Sequence, residues 1–189
     1  MDADVMRSAM REALALARRA GESGDVPVGA VVLDADGRVI GRGFNTRQAD
    51  GDPLAHAEVL AMREAARTLA SRRSSDVPED ASVDGAAGVT NPVPPASAAR
   101  SPWNLADCTL VVTLEPCPMC AGACLQTHVG RIVFGAWDAK LGACGSVWDI
   151  PRDPHIGHSP EVIGGVMEDD CAAPLSDFFA ARRSATGRI

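Results

Sequence analysis

Stretches with apolar residues at helical spacing alternate along the chain with short runs that are apolar throughout. Val5, Ala9, Ala13, Leu16, Ala17 and Ala20 recur every three or four positions with arginines mostly opposite, which predicts an amphipathic first helix. Val26 to Leu33 reads as a strand, Asp34-Ala35-Asp36-Gly37 as a turn, and Val39-Ile40 as the return strand. Asn45 to Gly51 is a polar loop. Asp52-Pro53 places a cap residue before a proline suited to the first helical position, so a second helix is expected from residue 53 to residue 71. Cys108 to Leu114 is a buried strand, Pro116 opens a third helix that Gly130 ends, and Arg131 to Trp137 is the next strand. Glu161 to Met167 is a last strand. A final helix reaches Arg183 and is expected to kink or begin at Pro174, which has no N–H to donate. The order α-β-β-α-β-α-β-β-α is that of an α/β fold with helices packed on a central sheet.

Residues 71–102 break this pattern. They hold five prolines and six serines and no Leu, Ile, Phe, Met or Trp. Such a segment buries too little apolar surface to offset its ordering entropy, and it reads as a disordered insertion within one domain spanning residues 1–189. That length suits one domain, and 46% hydrophobic residues exclude a wholly disordered chain. No apolar run approaches the ~20 residues of a membrane helix. The acidic start Met1-Asp2-Ala3-Asp4 is unlike a secretory signal, so a soluble cytoplasmic protein with no membrane association is expected. The net charge of −7 lowers the expectation of nucleic-acid binding without excluding a local basic patch.

Six cysteines in such a setting argue against a disulfide framework, and three of them, Cys117, Cys120 and Cys124, fall within eight residues. Cys117-x-x-Cys120 alone fits a redox pair or half of a structural zinc site. With His56-Ala57-Glu58 ahead of another helix, two thiolates and an imidazole make a three-donor zinc set, and three protein donors leave a fourth position for water. Cys124, one helical turn after Cys120, is the rival fourth donor, with His128 a turn further. Residues 56 and 58 lie about 200° apart around a helix. Glu58 therefore suits an acid/base beside the metal better than a ligand.

At these residues the chain resembles the bacterial tRNA-specific adenosine deaminases, within the zinc deaminases that share the H-x-E…P-C-x-x-C signature. The likeness extends over Val26-Pro27-Val28-Gly29-Ala30-Val31, Asn45, Asp52-Pro53-x-Ala55-His56-Ala57-Glu58 and Thr113-Leu114-Glu115-Pro116-Cys117-x-Met119-Cys120. It continues through Phe134 to Ser146 and Leu175 to Phe179. It implies a cytidine-deaminase-like three-layer fold, with a mostly five-stranded sheet between helices. It implies deamination of adenosine to inosine at the anticodon wobble position of a tRNA, one zinc per subunit, and a homodimer. Carried over residue by residue, it makes His56, Cys117 and Cys120 the zinc ligands and Glu58 the proton shuttle. Val28, Asn45 and Ala57 fall at the nucleotide pocket. Asp138, Lys140, Phe178, Phe179, Arg182 and Arg183 fall in segments that touch the anticodon loop. Trp137 stands where other members carry a basic residue, which turns that RNA contact into stacking.

Two other readings remain open. A free-base or nucleoside deaminase acting on guanine or cytosine shares the zinc motifs, and the segments at 134–146 and 175–179 weigh against it. A non-catalytic, zinc-stabilised interaction module would leave Glu58 and Asn45 without a task.

Overall fold

A computed structural model describes residues 2–75 and 101–186. Five strands form one sheet in the order β2-β1-β3-β4-β5: β1 (Gly29–Leu33), β2 (Val39–Phe44), β3 (Thr109–Leu114), β4 (Arg131–Ala136) and β5 (Glu161–Ile163). β1 pairs antiparallel with both β2 and β3, and β4 runs parallel to β3 and β5. Side chains alternate across this sheet with the two-residue period of a strand. Ala30, Val32, Leu110, Val112, Ile132 and Phe134 enter one buried cluster, while Val31, Leu33, Val111 and Val133 enter another. α1 (Ala3–Glu22) and α5 (Glu168–Thr186) cover the second face; α3 (Ala57–Ser75) and α4 (Pro118–Gln126) cover the first. Both faces are buried, which is why β1 and most of β3 are apolar throughout. The α/β three-layer expectation holds.

Glycines set how closely the helices approach. A Cβ at Gly43 would fall 2.2 Å from the Ala57 carbonyl oxygen, and one at Gly41 would fall 2.2 Å from that of Ala61. The two glycines lie on one face of β2, and the two carbonyls lie one turn apart on α3, so strand and helix meet backbone to backbone. Gly29 does the same against α1, 2.1 Å from the Ala13 carbonyl oxygen.

Several boundaries differ from the sequence expectations, each for a physical reason. The helix expected at Pro53 begins at Ala57. Asp52 caps only a local turn, its Oδ1 accepting the Leu54 N–H, whereas the helix start is capped from outside by Asn45, whose Oδ1 accepts the Ala57 N–H at 3.0 Å. The 45–51 loop contains a one-turn helix α2 (Arg47–Asp50), closed by Gly51 at a φ of 63°. α4 starts one residue after Cys117 and ends at Gln126, not at Gly130. His128 takes the left-handed conformation (φ 55°), and the Val129 N–H returns to the Cys124 carbonyl. Gly130 is needed for another contact, since a Cβ there would fall 2.1 Å from the Ala106 carbonyl oxygen. β5 stops at Ile163 because the chain at Gly164 passes against Phe134 and Trp137. α5 begins six residues before Pro174 and runs through it. Asp170, whose carbonyl would have received the missing N–H, is exposed. α3 extends through residues 71–75, so the insertion expected from residue 71 opens as helix. Residues 76–100 lie outside the described ones.

Gly43→Ala should cost roughly 1–3 kcal/mol, because an inserted methyl must push α3 away from β2. A lowered urea midpoint with bound zinc partly lost would be the expected outcome, since His56 sits directly ahead of the same helix.

Candidate active site

The strand directions gather four chain segments at one edge of the sheet. The approach to β1, the exit of β2 and the exits of β3 and β4 all lie there, because β1 opposes β3 while β4 follows it. These segments supply Val28, Asn45, Cys117 and Asp138, and α3 begins beside them with His56 just ahead of its first residue. All five line one pocket together with Glu58.

His56 Nδ1 lies 3.5 Å from Cys120 Sγ and 3.8 Å from Cys117 Sγ. A tetrahedral zinc with bonds of about 2.0–2.3 Å holds its donors at about such separations. The three donor atoms all lie within 4.8 Å of one another, and no other such group of three is found among the described residues. Cys117 is the N-cap of α4, where the helix dipole favours a thiolate. The Cys120 thiol donating to it holds Cys117 down to about 4, with the His56 hydrogen bond adding to this and burial opposing it. The same hydrogen bond and burial push Cys120 up, and the bond to Cys117 raises His56. Cys124 is fully buried in the core behind the site, and burial pushes its thiol well up. The donor atoms that lie within 4.8 Å of one another do not include the Cys124 sulfur, which packs in the core cluster instead.

Glu58 is 4% exposed. Burial raises its carboxyl, with the Cys117 charge adding to the effect and His56 opposing it. Residues 56 and 58 reach one pocket because the helix presents its end, not its side, to the donors. Asn45 fixes that end: besides accepting from Ala57, its Nδ2 donates to the Val26 carbonyl at 3.1 Å, so one amide ties the β1 approach to the α3 start. Ala57 itself is buried against Gly43 and does not line the pocket.

The segments matched to RNA contacts divide. Arg182 reaches the pocket, donates to the Gly24 carbonyl at 2.6 Å and lies 4.3 Å above the Phe178 ring. Phe178 is half-buried and Phe179 exposed, packed edge to face at 5.4 Å, and neither belongs to the buried core. Asp138 spends one carboxylate oxygen on the N–H groups of Lys140 and Leu141. Lys140 and Arg183 are exposed and do not line the pocket. Two pocket-lining carboxylates had no assigned task in the sequence. Asp25 accepts the N–H groups of Gln48 and Ala49 and so pins α2, and Glu115 grips the 138–146 loop. A lone aspartate in a turn carries no spacing signal. Glu115, in Thr-Leu-Glu-Pro-Cys, is visible only as part of the zinc motif.

Two thiols and an imidazole beside a buried carboxylate, on a helix-flanked sheet, define a metal-dependent hydrolytic site. Residues 4–136 match the cytidine and deoxycytidylate deaminase zinc-binding region, and the chain belongs to this family, in the branch of the tRNA-specific adenosine deaminases. The tRNA-specific adenosine deaminase of Haemophilus influenzae is 39% identical over 188 residues, covering 97% of this chain and 91% of that protein. A solved structure from a study of A-to-I editing by tRNA:A34 deaminases at the wobble position superposes with a TM-score of 0.69 at 34% identity, over 89% of this chain and 99% of that one. Proteins named tRNA(Ile)-lysidine synthase from Deinococcus radiodurans and Deinococcus deserti are 46% and 45% identical over 98% and 96% of this chain. The chain spans 27% and 28% of their length. The zinc bound by this family fits the donor set: His56, Cys117 and Cys120 are positioned to hold a metal.

Cys117→Ser, Cys120→Ser and His56→Ala should each lose most bound zinc by elemental analysis, and Cys124→Ala should keep it. Equal loss in Cys124→Ala would mean a closed, structural site.

Proposed function

We propose that the chain hydrolytically deaminates adenosine to inosine at the wobble position of a tRNA anticodon. The observation that carries this reading is the buried Glu58 carboxylate at the same pocket as His56 and Cys117, in a chain similar over nearly its whole length to a tRNA-specific adenosine deaminase. His56, Cys117 and Cys120 would hold a zinc ion, which would supply the Lewis acidity that brings water toward ionisation near neutral pH. Glu58 accepts the proton released as that water's oxygen adds to carbon 6 of adenine. It then delivers protons to the ring nitrogen and the amino group, which leaves as ammonia while the ring keeps the oxygen. The net change is adenosine plus water to inosine plus ammonia. Val28 and Asn45 form the wall on which the base rests, and Asn45 also holds α3, and with it Glu58, in place.

An anticodon loop is already single-stranded, so turning one base out of it into a pocket costs little. An acidic chain must recruit RNA through a local basic surface. Arg182, Arg183 and Lys140 supply the charge, and Phe178, Phe179 and Trp137 supply aromatic surface near the pocket. The reading includes a homodimer with one zinc per subunit and a cytoplasmic setting, both supported by the resemblance. Among the described residues, no helix is long and apolar enough to cross a membrane.

Ammonia release should be seen with an anticodon stem-loop and be far weaker with free adenosine, guanine or cytosine; a preference for guanine would overturn the tRNA reading. Glu58→Ala should keep its zinc and lose activity by roughly 10²–10⁴-fold, the usual worth of general acid/base catalysis. Arg182→Ala with Arg183→Ala should flatten the dependence of log affinity on log salt by about one or two units, which filter binding over a salt series would measure.

A further inference from the structure

Two residues before Cys117, Glu115 is a buried carboxylate, 2% exposed, that the deamination chemistry leaves unused. Its oxygens face main-chain N–H groups of a single loop. Oε1 accepts from Cys144 at 2.9 Å and from Ser146 at 3.1 Å, and Oε2 accepts from Asp138 at 3.1 Å. The loop lies so close that a Cβ on Gly142 would fall 2.2 Å from Oε2. Around this grip the loop closes on itself. The Gly142 N–H and the Ser146 hydroxyl both donate to the Asp138 carbonyl at 2.9 Å, and the Ala143 N–H donates to the Pro116 carbonyl at 2.9 Å. Asp138 and Leu141 of this loop line the pocket that holds His56, Glu58 and Cys117.

A carboxylate is an acceptor only, and three N–H groups converging on one that is 2% exposed form charge-assisted bonds. Outside the strands, a loop keeps one conformation only where such contacts fix it. We propose that Glu115 is a positioning residue for substrate recognition. By holding the backbone of residues 138–146, it sets where Asp138 and Leu141 stand against the bound nucleotide, and it takes no part in the proton transfers. This rests on the adenosine-deaminase reading given above.

Two variants test it from opposite sides. Glu115→Gln keeps the size but turns an acceptor into a donor that faces N–H groups. Gly142→Ala keeps the carboxylate and pushes the loop off it. Both should retain zinc, and KM for the anticodon stem-loop should rise roughly tenfold or more while kcat changes much less. Amide hydrogen exchange should speed up across residues 138–146 and stay unchanged in β1 and β3. A merely structural role would lower the thermal midpoint and the active fraction and leave KM in place. KM within about twofold of the unsubstituted protein in both variants would overturn the proposal. If Glu115→Gln does not fold, Gly142→Ala decides. If the unsubstituted protein turns over no stem-loop, the functional reading fails instead. Hydrogen exchange then decides the role of Glu115, and unchanged protection of the loop in both variants would overturn it.

Discussion

The contact between β2 and α3 is made by main chain on both sides. At residues 41 and 43 a helix carbonyl oxygen occupies the place where any side chain would begin. This closeness brings the first turn of α3 to the sheet edge, where Asn45 can cap it and where His56 and Glu58 meet the two thiols arriving from β3. A wider spacing would leave the residues intact but the donors apart. The small faces of Ala57, Ala61 and Ala65 are the helix's half of the same constraint. Their low volume makes the helix a poor hydrophobic anchor by area and a precise one by position, since only one depth of approach is available.

The electrostatics of the pocket depend on the metal. A carboxylate, a thiolate and a second thiol share a site largely withdrawn from water, and each raises the cost of charging the others. Burial pushes Glu58 up, and the bond to Cys117 together with burial pushes Cys120 up. A dication reverses the balance, since it needs both thiolates and lowers the cost of ionising Glu58. The charge state of the donors is thus set by what they hold.

The order of helices and strands and the metal set were legible in the sequence, because each rests on a strong local signal: alternating or continuous apolar runs, paired cysteines, a histidine two residues before a glutamate. The three-layer arrangement followed only from the family resemblance. The errors fall where a local signal is outweighed by a distant partner. Asp52-Pro53 has every mark of a helix start, yet the cap comes from Asn45, twelve residues before the helix begins. Gly130 looks like a helix stop, yet its missing side chain admits the Ala106 carbonyl, and His128 ends the helix. Pro174 suggests a break, yet the helix runs through it, because the carbonyl deprived of its N–H belongs to the exposed Asp170. The roles of Asp25 and Glu115 had no local signal at all, because their partners are backbone N–H groups, which are the same for every residue type.

That last property shapes what the molecule can become. Since Glu115 grips main chain, the side chains of Ala139, Lys140 and Leu141 are not spent on holding the loop, a task left to Glu115, Asp138 and Ser146. Ala139, Lys140 and Leu141 can be exchanged while the wall behind them stays where it is. The pocket rim is in this sense separable from the scaffold that aims it, so single substitutions there change the rim's chemistry without moving the wall. By the same reasoning Gly142 and Glu115 are the positions that laboratory diversification of the pocket rim should leave alone.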